Sequence, residues 1–301
     1  MPSIIAVLLY DSEWRPYSDG IMSLQTAEQS YAEYCAEQVR TYDYHRYFAA
    51  TFAPADVRRG LIALYAFNLE IASVRERVSE TLLGQMRLQW WRDTIGEVYA
   101  GTIRNHAVVS EIAWGIGAFD LPRQVFEKMI DGRMFDLEDE PPEDSGALAV
   151  YASATSGQLV AMAAYICGQP DFAADADTIG TSWGMTGLLR ALPYQAAQRR
   201  VYLPRDILRA SGLAPDDVVE RRNPPAMTEA VTRMVSLIER SRPDPMRVPR
   251  AVRPAVVYAA VAGPYLRRLQ RAGHDVYAGD LVLSRLGGQM RIFRSAMTGK
   301  I

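Results

Sequence analysis

Residues Gly184–Pro204 read GMTGLLRALPYQAAQRRVYLP, and this stretch says most about the fold. Arg190 stands in an otherwise apolar run, so its charge needs a partner in the folded protein, and Glu70 or Glu76 is the candidate. Ala191 and Gln195 are four residues apart and would project from one face of a helix. Pro193 between them removes a backbone donor and favours a kink or a helix end. The stretch predicts a largely apolar helix that kinks or ends near this proline.

Apolar residues recur at helical spacing along the rest of the chain, which predicts an all-α fold. Alternating strand patterns and Asn-Gly hairpin turns are missing from the sequence. Segments rich in proline and glycine at 139–146, 168–170, 223–225 and 242–254 predict the loops between helices. The periodic series are Leu83, Met86, Trp90 and Val98; Phe126, Ile130, Met134 and Leu137; and Val231, Val235 and Ile238.

Length and composition set limits on the class of protein. The 301 residues are 49% hydrophobic and show no low-complexity linker, which favours one domain over residues 22–301. Residues 1–21 lack a helical period and are expected to be a disordered extension or a tail that packs loosely. We expect Met22 to be the native start and Ser23–Arg40 to be the first helix.

Charge and cysteine content exclude several function classes. The net charge of −2 is unlike that of a general nucleic-acid binder, so no nucleic-acid partner is expected. Cys35 and Cys167 are too few and too isolated for a disulfide framework, which indicates a reducing compartment. The apolar run Ile4–Tyr10 is far shorter than the ~20 residues of a membrane span. We expect a cytoplasmic protein, with peripheral contact at the inner face of the membrane as the alternative.

Two segments carry a resemblance to a known family. Residues Leu64–Glu76, LYAFNLEIASVRE, resemble the first aspartate-rich segment of the squalene/phytoene synthase family, and Gly184–Pro204 resembles the second. Met129–Leu137 and Tyr151–Gly168 resemble two further segments of that family. The resemblance implies an isoprenoid-synthase-type helical bundle around a central cavity.

The residues that should bind metal in these segments are altered. Positions where the family has aspartate hold Ala72 and Ser73 in the first segment, and Ala191 and Gln195 in the second. Enzymes of the family ionise a prenyl diphosphate held by Mg²⁺, which prefers carboxylate oxygens. Only Glu76 keeps a carboxylate, so no metal site and no cofactor are expected.

The non-catalytic branch of the superfamily resembles this chain more closely. Gln85–Trp90, QMRLQW, and Leu189–Pro204 are similar to stretches of a mitochondrial complex I assembly factor. This resemblance implies a protein partner, namely a subunit or assembly intermediate of respiratory complex I. Trp90 and Trp91 with Arg87 form a candidate docking face, because tryptophan and arginine are enriched at interfaces. Packing of both tryptophans within the domain is the alternative.

Three hypotheses of function remain open. The leading one is a non-catalytic assembly or folding factor for respiratory complex I. The second is an active head-to-head prenyltransferase that uses Mg²⁺, with Glu76, Asp131, Asp136 and Arg190 as its catalytic residues; a solvated helix end is the alternative for both aspartates. The third is a module that binds an isoprenoid or another lipid. The candidate diphosphate or lipid pocket comprises Tyr44, Arg46, Tyr65, Arg190, Arg199, Arg200 and Tyr202.

Overall fold

The computed structural model of the protein describes residues 24–243 and 247–301. The predicted extension over residues 1–21 and the predicted start at Met22 lie outside these ranges. Within them the chain forms helices and no strand, which confirms the all-α prediction. The helix predicted over Ser23–Arg40 is present as Leu24–Tyr42.

The α-helices of the described ranges are numbered in chain order. They are α1 Leu24–Tyr42, α2 Tyr44–Ala50, α3 Ala55–Ala72, α4 Thr81–Tyr99, α5 Ala107–Phe119, α6 Arg123–Gly132, α7 Ser145–Ala152, α8 Gln158–Ile166, α9 Ala173–Ala197, α10 Arg205–Ala210, α11 Pro215–Val219, α12 Pro224–Arg240, α13 Arg253–Val256, α14 Ala262–Arg271 and α15 Arg285–Thr298. Short 3-10 turns cover Arg75–Arg77, Arg133–Leu137, Pro170–Phe172, Arg250–Val252 and Val257–Val261, and a π-turn covers Ser153–Gly157.

Several loops are shorter than the proline pattern predicts. Helix α12 begins at Pro224, and a 3-10 turn begins at Arg250 inside the segment predicted as a loop up to residue 254. Pro254 lies in the first turn of α13. Proline suits the first turn because its missing N–H would have no intrahelical acceptor there. Pro193, in contrast, does not end its helix, since α9 continues to Ala197.

Helix α9 runs through two hydrophobic clusters and joins them. Its first half contributes Ile179 and Trp183 to a cluster built around α1, α3, α5 and α8. Its second half contributes Met185 and Leu189 to a cluster built around α10, α12 and α14. Each half of α9 is therefore packed into a different hydrophobic cluster, which holds the whole helix in place.

The buried face of α4 differs from the predicted one. Leu83 and Met86 are exposed, whereas Leu88, Trp91 and Ile95 are buried. Both sets have helical spacing, and only contacts with α5 and α6 decide which set faces the core.

One described helical run, Ser145–Ile166, is long and apolar enough to cross a membrane by length and composition. Its residues Leu159, Val160 and Met162 are buried within the protein. Helices in a protein core can have this length and apolar composition, and such burial is typical of them.

Candidate functional site

The two motif segments converge on one cavity. Ala72 at the end of α3 and Glu76 in the following 3-10 turn line it, and so do Ala191 and Gln195 of α9. The space that water can enter measures about 90 Å³. The cavity therefore lies where the resemblance places a metal and diphosphate site.

Close packing of α9 against the π-turn Ser153–Gly157 shapes one wall. A Cβ atom on Gly180 would lie 2.4 Å from the backbone oxygen of Ser156, and one on Gly184 would lie 2.8 Å from the Ser156 Cβ. Real Cβ atoms do not approach so closely, so these two positions require glycine. The close approach brings Thr155 and Ser156 to the cavity wall.

Asp136 is the centre of a buried polar network in the cavity. Its Oδ1 accepts hydrogen bonds from the hydroxyls of Tyr151, at 2.6 Å, and Tyr202, at 2.9 Å. Arg133 Nη1 lies 3.2 Å from Asp136 Oδ2. Burial and the nearby Asp136 charge raise the pKa of both tyrosines, so the hydroxyls stay protonated as donors. One carboxylate is thus held by three donors: Arg133 from its own 3-10 turn, Tyr151 from α7, and Tyr202 from the loop between α9 and α10.

The cavity carries more positive than negative side chains. Asp43, the N-cap of α2, pairs with Arg46 at 2.5 Å, and the Arg46 guanidinium lies 4.7 Å from the ring centre of Tyr258. The charged residues of the lining are Arg46, Arg75, Arg133, Arg190 and Arg200, against Asp43, Glu76 and Asp136. The field in the cavity therefore favours an anion over a cation.

Arg190 is partly buried beside aromatic side chains. Burial lowers its pKa to about 10, and Tyr265 and Asp43 partly oppose that shift. Its guanidinium lies 5.8 Å from the ring centre of Trp183. The apolar sequence around Arg190 suggested Glu70 or Glu76 as its partner. Glu70 instead pairs with Arg77 at 2.8 Å.

The residues present do not fit a magnesium site. Mg²⁺ needs oxygen ligands in near-octahedral geometry, usually including carboxylates. Asp43 is paired with Arg46, and Asp136 already accepts from three donors. The described ranges contain no group of three or more Asp, Glu, His or Cys side chains that could hold a metal ion.

Two residues predicted for the motif chemistry lie away from the cavity. Asp131 is on the last turn of α6, its side chain is 60% exposed, and it pairs with Arg92. Ser73 is buried at the end of α3, where its hydroxyl donates to the backbone oxygen of Glu70 at 3.2 Å. Only Glu76, Asp136 and Arg190 of the residues proposed for an active enzyme share the cavity.

The predicted ligand pocket is only partly assembled. Tyr44 packs against α15, with its ring 4.2 Å from the Arg285 guanidinium. Tyr65 is buried behind the lining, and Arg199 is exposed and lies 3.6 Å from Asp216. The predicted members that do line the cavity are Arg46, Arg190, Arg200 and Tyr202.

The candidate docking face on α4 is divided between surface and core. Arg87 is exposed, but Trp91 is buried and stacks edge-on against Phe67. Trp90 is half-buried, and the Arg104 guanidinium lies 5.1 Å from its ring centre. Two adjacent tryptophans project in different directions from a helix, which is why only one of them reaches the core.

Several polar residues of the cavity were not predicted as site residues, among them Asp43, Asn68, Arg133 and Tyr151. Asp43 directly precedes the predicted pocket residue Tyr44. Arg133 and Tyr151 lie inside the two further segments that resemble the family. A polar side chain inside such a segment was therefore the available signal. Arg133 is only three residues from Asp136, so that contact was within local reach. The bonds to Asp136 from Tyr151 and Tyr202 span 15 and 66 residues and could not be read from local spacing.

Comparison with known proteins gives the class. The sequence profile of the squalene/phytoene synthase family matches residues 39–287. The chain belongs to the squalene/phytoene synthase family. The solved structures of a dehydrosqualene synthase and of a squalene synthase from Alicyclobacillus acidocaldarius superpose with TM-scores of 0.74 and 0.71, each at 17% identity. The first covers 89% of this chain and 96% of the synthase, and the second covers 83% and 97%. At that identity the likeness establishes the fold, which confirms the predicted isoprenoid-synthase bundle.

The curated relatives include complex I assembly factors and phytoene synthases. The chain is 30% identical over 254 residues to human NADH dehydrogenase (ubiquinone) complex I, assembly factor 6, covering 82% of this chain and 76% of the relative. The Drosophila melanogaster homologue is 25% identical over 258 residues, with 80% and 76% covered. Phytoene synthase of Cereibacter sphaeroides is 26% identical over 260 residues, with 80% and 72% covered.

Proposed function

We propose that this protein is a non-catalytic member of the squalene/phytoene synthase family that acts in the assembly of respiratory complex I. Its 30% identity to a human complex I assembly factor over most of both chains supports the partner. The observation that carries the non-catalytic part is Asp136. Both oxygens of this carboxylate already accept hydrogen bonds, from Tyr151 and Tyr202 on one oxygen and from Arg133 on the other.

The missing metal ligands argue against the prenyltransferase alternative. A departing diphosphate must be stabilised by positive charge, and the enzymes of the family supply that charge with bound Mg²⁺. Loss of one contact to a transition state typically costs ~10²–10³ in rate. Ala72, Ala191 and Gln195 remove several contacts that act as a unit, and Asp131 is too far outside the cavity to replace them.

Gene deletion in the native organism tests the assembly role. We expect the deleted strain to lose fully assembled complex I on native gels and to lose NADH oxidation by its membranes. Succinate oxidation, which does not need complex I, is the matched control and should be unchanged. Reintroduction of the gene should restore the complex. A normal complex I level in the deleted strain would contradict the proposal.

A diphosphate-release assay tests the non-catalytic part separately. The purified protein is mixed with farnesyl or geranylgeranyl diphosphate, Mg²⁺ and NADPH, beside the Cereibacter sphaeroides phytoene synthase as an active control. We expect release no higher than that of heat-treated protein. Release comparable with the active control would show that the residues of the cavity support turnover.

A second candidate function is binding of an anionic ligand, such as a lipid or isoprenoid head group, in the same cavity. Gln195 is 1% exposed, lines the cavity, and its Nε2 has no hydrogen-bond acceptor among the described residues. Nε of Arg46 and Nε of Arg133 are also buried and also have no acceptor among the described residues. Buried donors without acceptors are costly, and an oxyanion would satisfy them.

Two measurements test this ligand role. Native mass spectrometry of the purified protein should reveal a retained lipid or isoprenoid. Inorganic diphosphate with EDTA present should raise the melting temperature of the wild type, and less so that of Q195L, because the variant lacks the amide donor. An unchanged melting temperature together with a ligand-free mass would reject the ligand role and leave the assembly role untouched.

A further inference from the structure

The C-terminal helix α15 carries an exposed apolar stripe. Leu286, Met290, Phe293 and Met297 are 68%, 61%, 48% and 65% exposed. Their spacings of four, three and four residues place them on one side of the helix. The opposite side, with buried Ile292, packs on α2, α13 and the turn Val257–Val261. Single exposed apolar residues need no explanation, but an ordered row of four does.

The stripe borders a shallow groove and a group of arginines. Pro264, Leu283 and Phe293 line the groove together with Arg291 and Arg294. The groove has mostly apolar walls, so it could accept part of a hydrocarbon chain while the two guanidinium groups remain at its edge.

Four guanidinium groups lie close together beside the stripe: those of Arg242, Arg267, Arg291 and Arg294. Partial burial and the charges of the other three lower the pKa of Arg291. A Cβ atom on Gly263 would lie 3.2 Å from Arg267 Nη1 and 3.8 Å from Arg242 Nη2, which confirms their proximity. Across residues 30–243 and 247–301, none of the four forms an ion pair with a carboxylate.

The charge of the whole C-terminal region is also one-sided. Residues 247–301 hold ten Arg and Lys residues but only Asp275 and Asp280 as acids, in a chain whose total charge is −2. Helix α15 itself has three arginines and no acidic residue. Such a local excess of positive charge indicates an anionic partner.

We propose that the α15 stripe and its arginines dock on the surface of a membrane that contains anionic phospholipids. The four apolar side chains would enter the boundary between head groups and acyl chains, while Arg267, Arg291 and Arg294 pair with lipid phosphates. A nucleic acid would use the arginines but not a row of exposed Leu, Met and Phe. This surface is separate from the cavity and goes beyond the proposed role in complex I assembly.

Vesicle co-sedimentation with the full chain tests the proposal. One set of vesicles is phosphatidylcholine, and the other is phosphatidylcholine mixed with phosphatidylglycerol. We expect the protein to sediment with the mixed vesicles only, and less at ~1 M salt because the charges are screened. R267E/R294E should lower the partition coefficient about a hundredfold, and M290Q/F293Q about tenfold. All four side chains are exposed, so these variants should fold normally.

Matched substitutions on α4 control for nonspecific effects. Met86 and Arg87 are also exposed, on a helix that packs against α5 and α6 instead. M86Q and R87E should bind the mixed vesicles as the wild type does. The proposal is overturned if the wild type does not sediment with the mixed vesicles, which is the result expected if another part of the chain covers the stripe. It is equally overturned if pure phosphatidylcholine binds as well, or if M290Q/F293Q binds unchanged.

Discussion

Replacement of Asp136 by asparagine should separate a structural carboxylate from a metal ligand. Asp136 is 7% exposed and accepts from Tyr151, Tyr202 and Arg133. The asparagine keeps one acceptor oxygen for the tyrosines but presents a donor to Arg133. That guanidinium then loses its counter-charge in a buried site.

The expected loss is large because a buried ion pair is broken from one side. Removal of one partner of such a pair typically costs about 3–5 kcal/mol. For a domain of this size the melting temperature should fall by about 6–10 °C, at about 2 °C per kcal/mol. Urea unfolding followed by circular dichroism measures the free energy, and added Mg²⁺ should change it for neither the wild type nor the variant.

Asp131, five residues earlier, supplies the matched control. It has the same chemistry and pairs with Arg92, but its side chain is 60% exposed. Exposed pairs contribute about 0–1 kcal/mol, so D131N should be nearly neutral. The reasoning fails if D136N costs no more than D131N. It also fails if millimolar Mg²⁺ stabilises the wild type and D136N abolishes the effect, because Asp136 would then be a metal ligand.

Three further predictions concern stability. Burial and then the charges of nearby arginines lower the pKa of His45 from 6.5 to about 4. As the pH falls, His45 of the unfolded chain is protonated before His45 of the folded protein. The free energy of unfolding should therefore fall by about 2 kcal/mol between about pH 7 and 5, and H45Q should lack this slope. G180A should cost about 1–3 kcal/mol in thermal unfolding, since its Cβ would meet a backbone oxygen at 2.4 Å, while G117A has open space and should not destabilise. E111Q should cost about 1.5–3 kcal/mol in urea unfolding, because Glu111 is buried and accepts two bonds from Arg59; a loss below 0.5 kcal/mol, roughly that of a neutral surface change, would contradict it.

The helical fold could be predicted from short-range patterns. Val231, Val235 and Ile238 have helical spacing in the sequence and are buried on α12. On α4 the same reasoning selected Leu83 and Met86, yet Leu88, Trp91 and Ile95 face the core. Periodicity defines which residues share a face, but the partner helices decide which face is covered.

The sequence alone determined that the chain is helical, that it belongs with squalene/phytoene synthases, and that Ala72, Ala191 and Gln195 stand where carboxylates were expected. Those facts depend on residue identity and local spacing. The tertiary structure decided that Asp136 meets Tyr151 and Tyr202 while Asp131 points away, and that arginines dominate the cavity. Such contacts join residues far apart in the chain, so they exist only once the helices are packed.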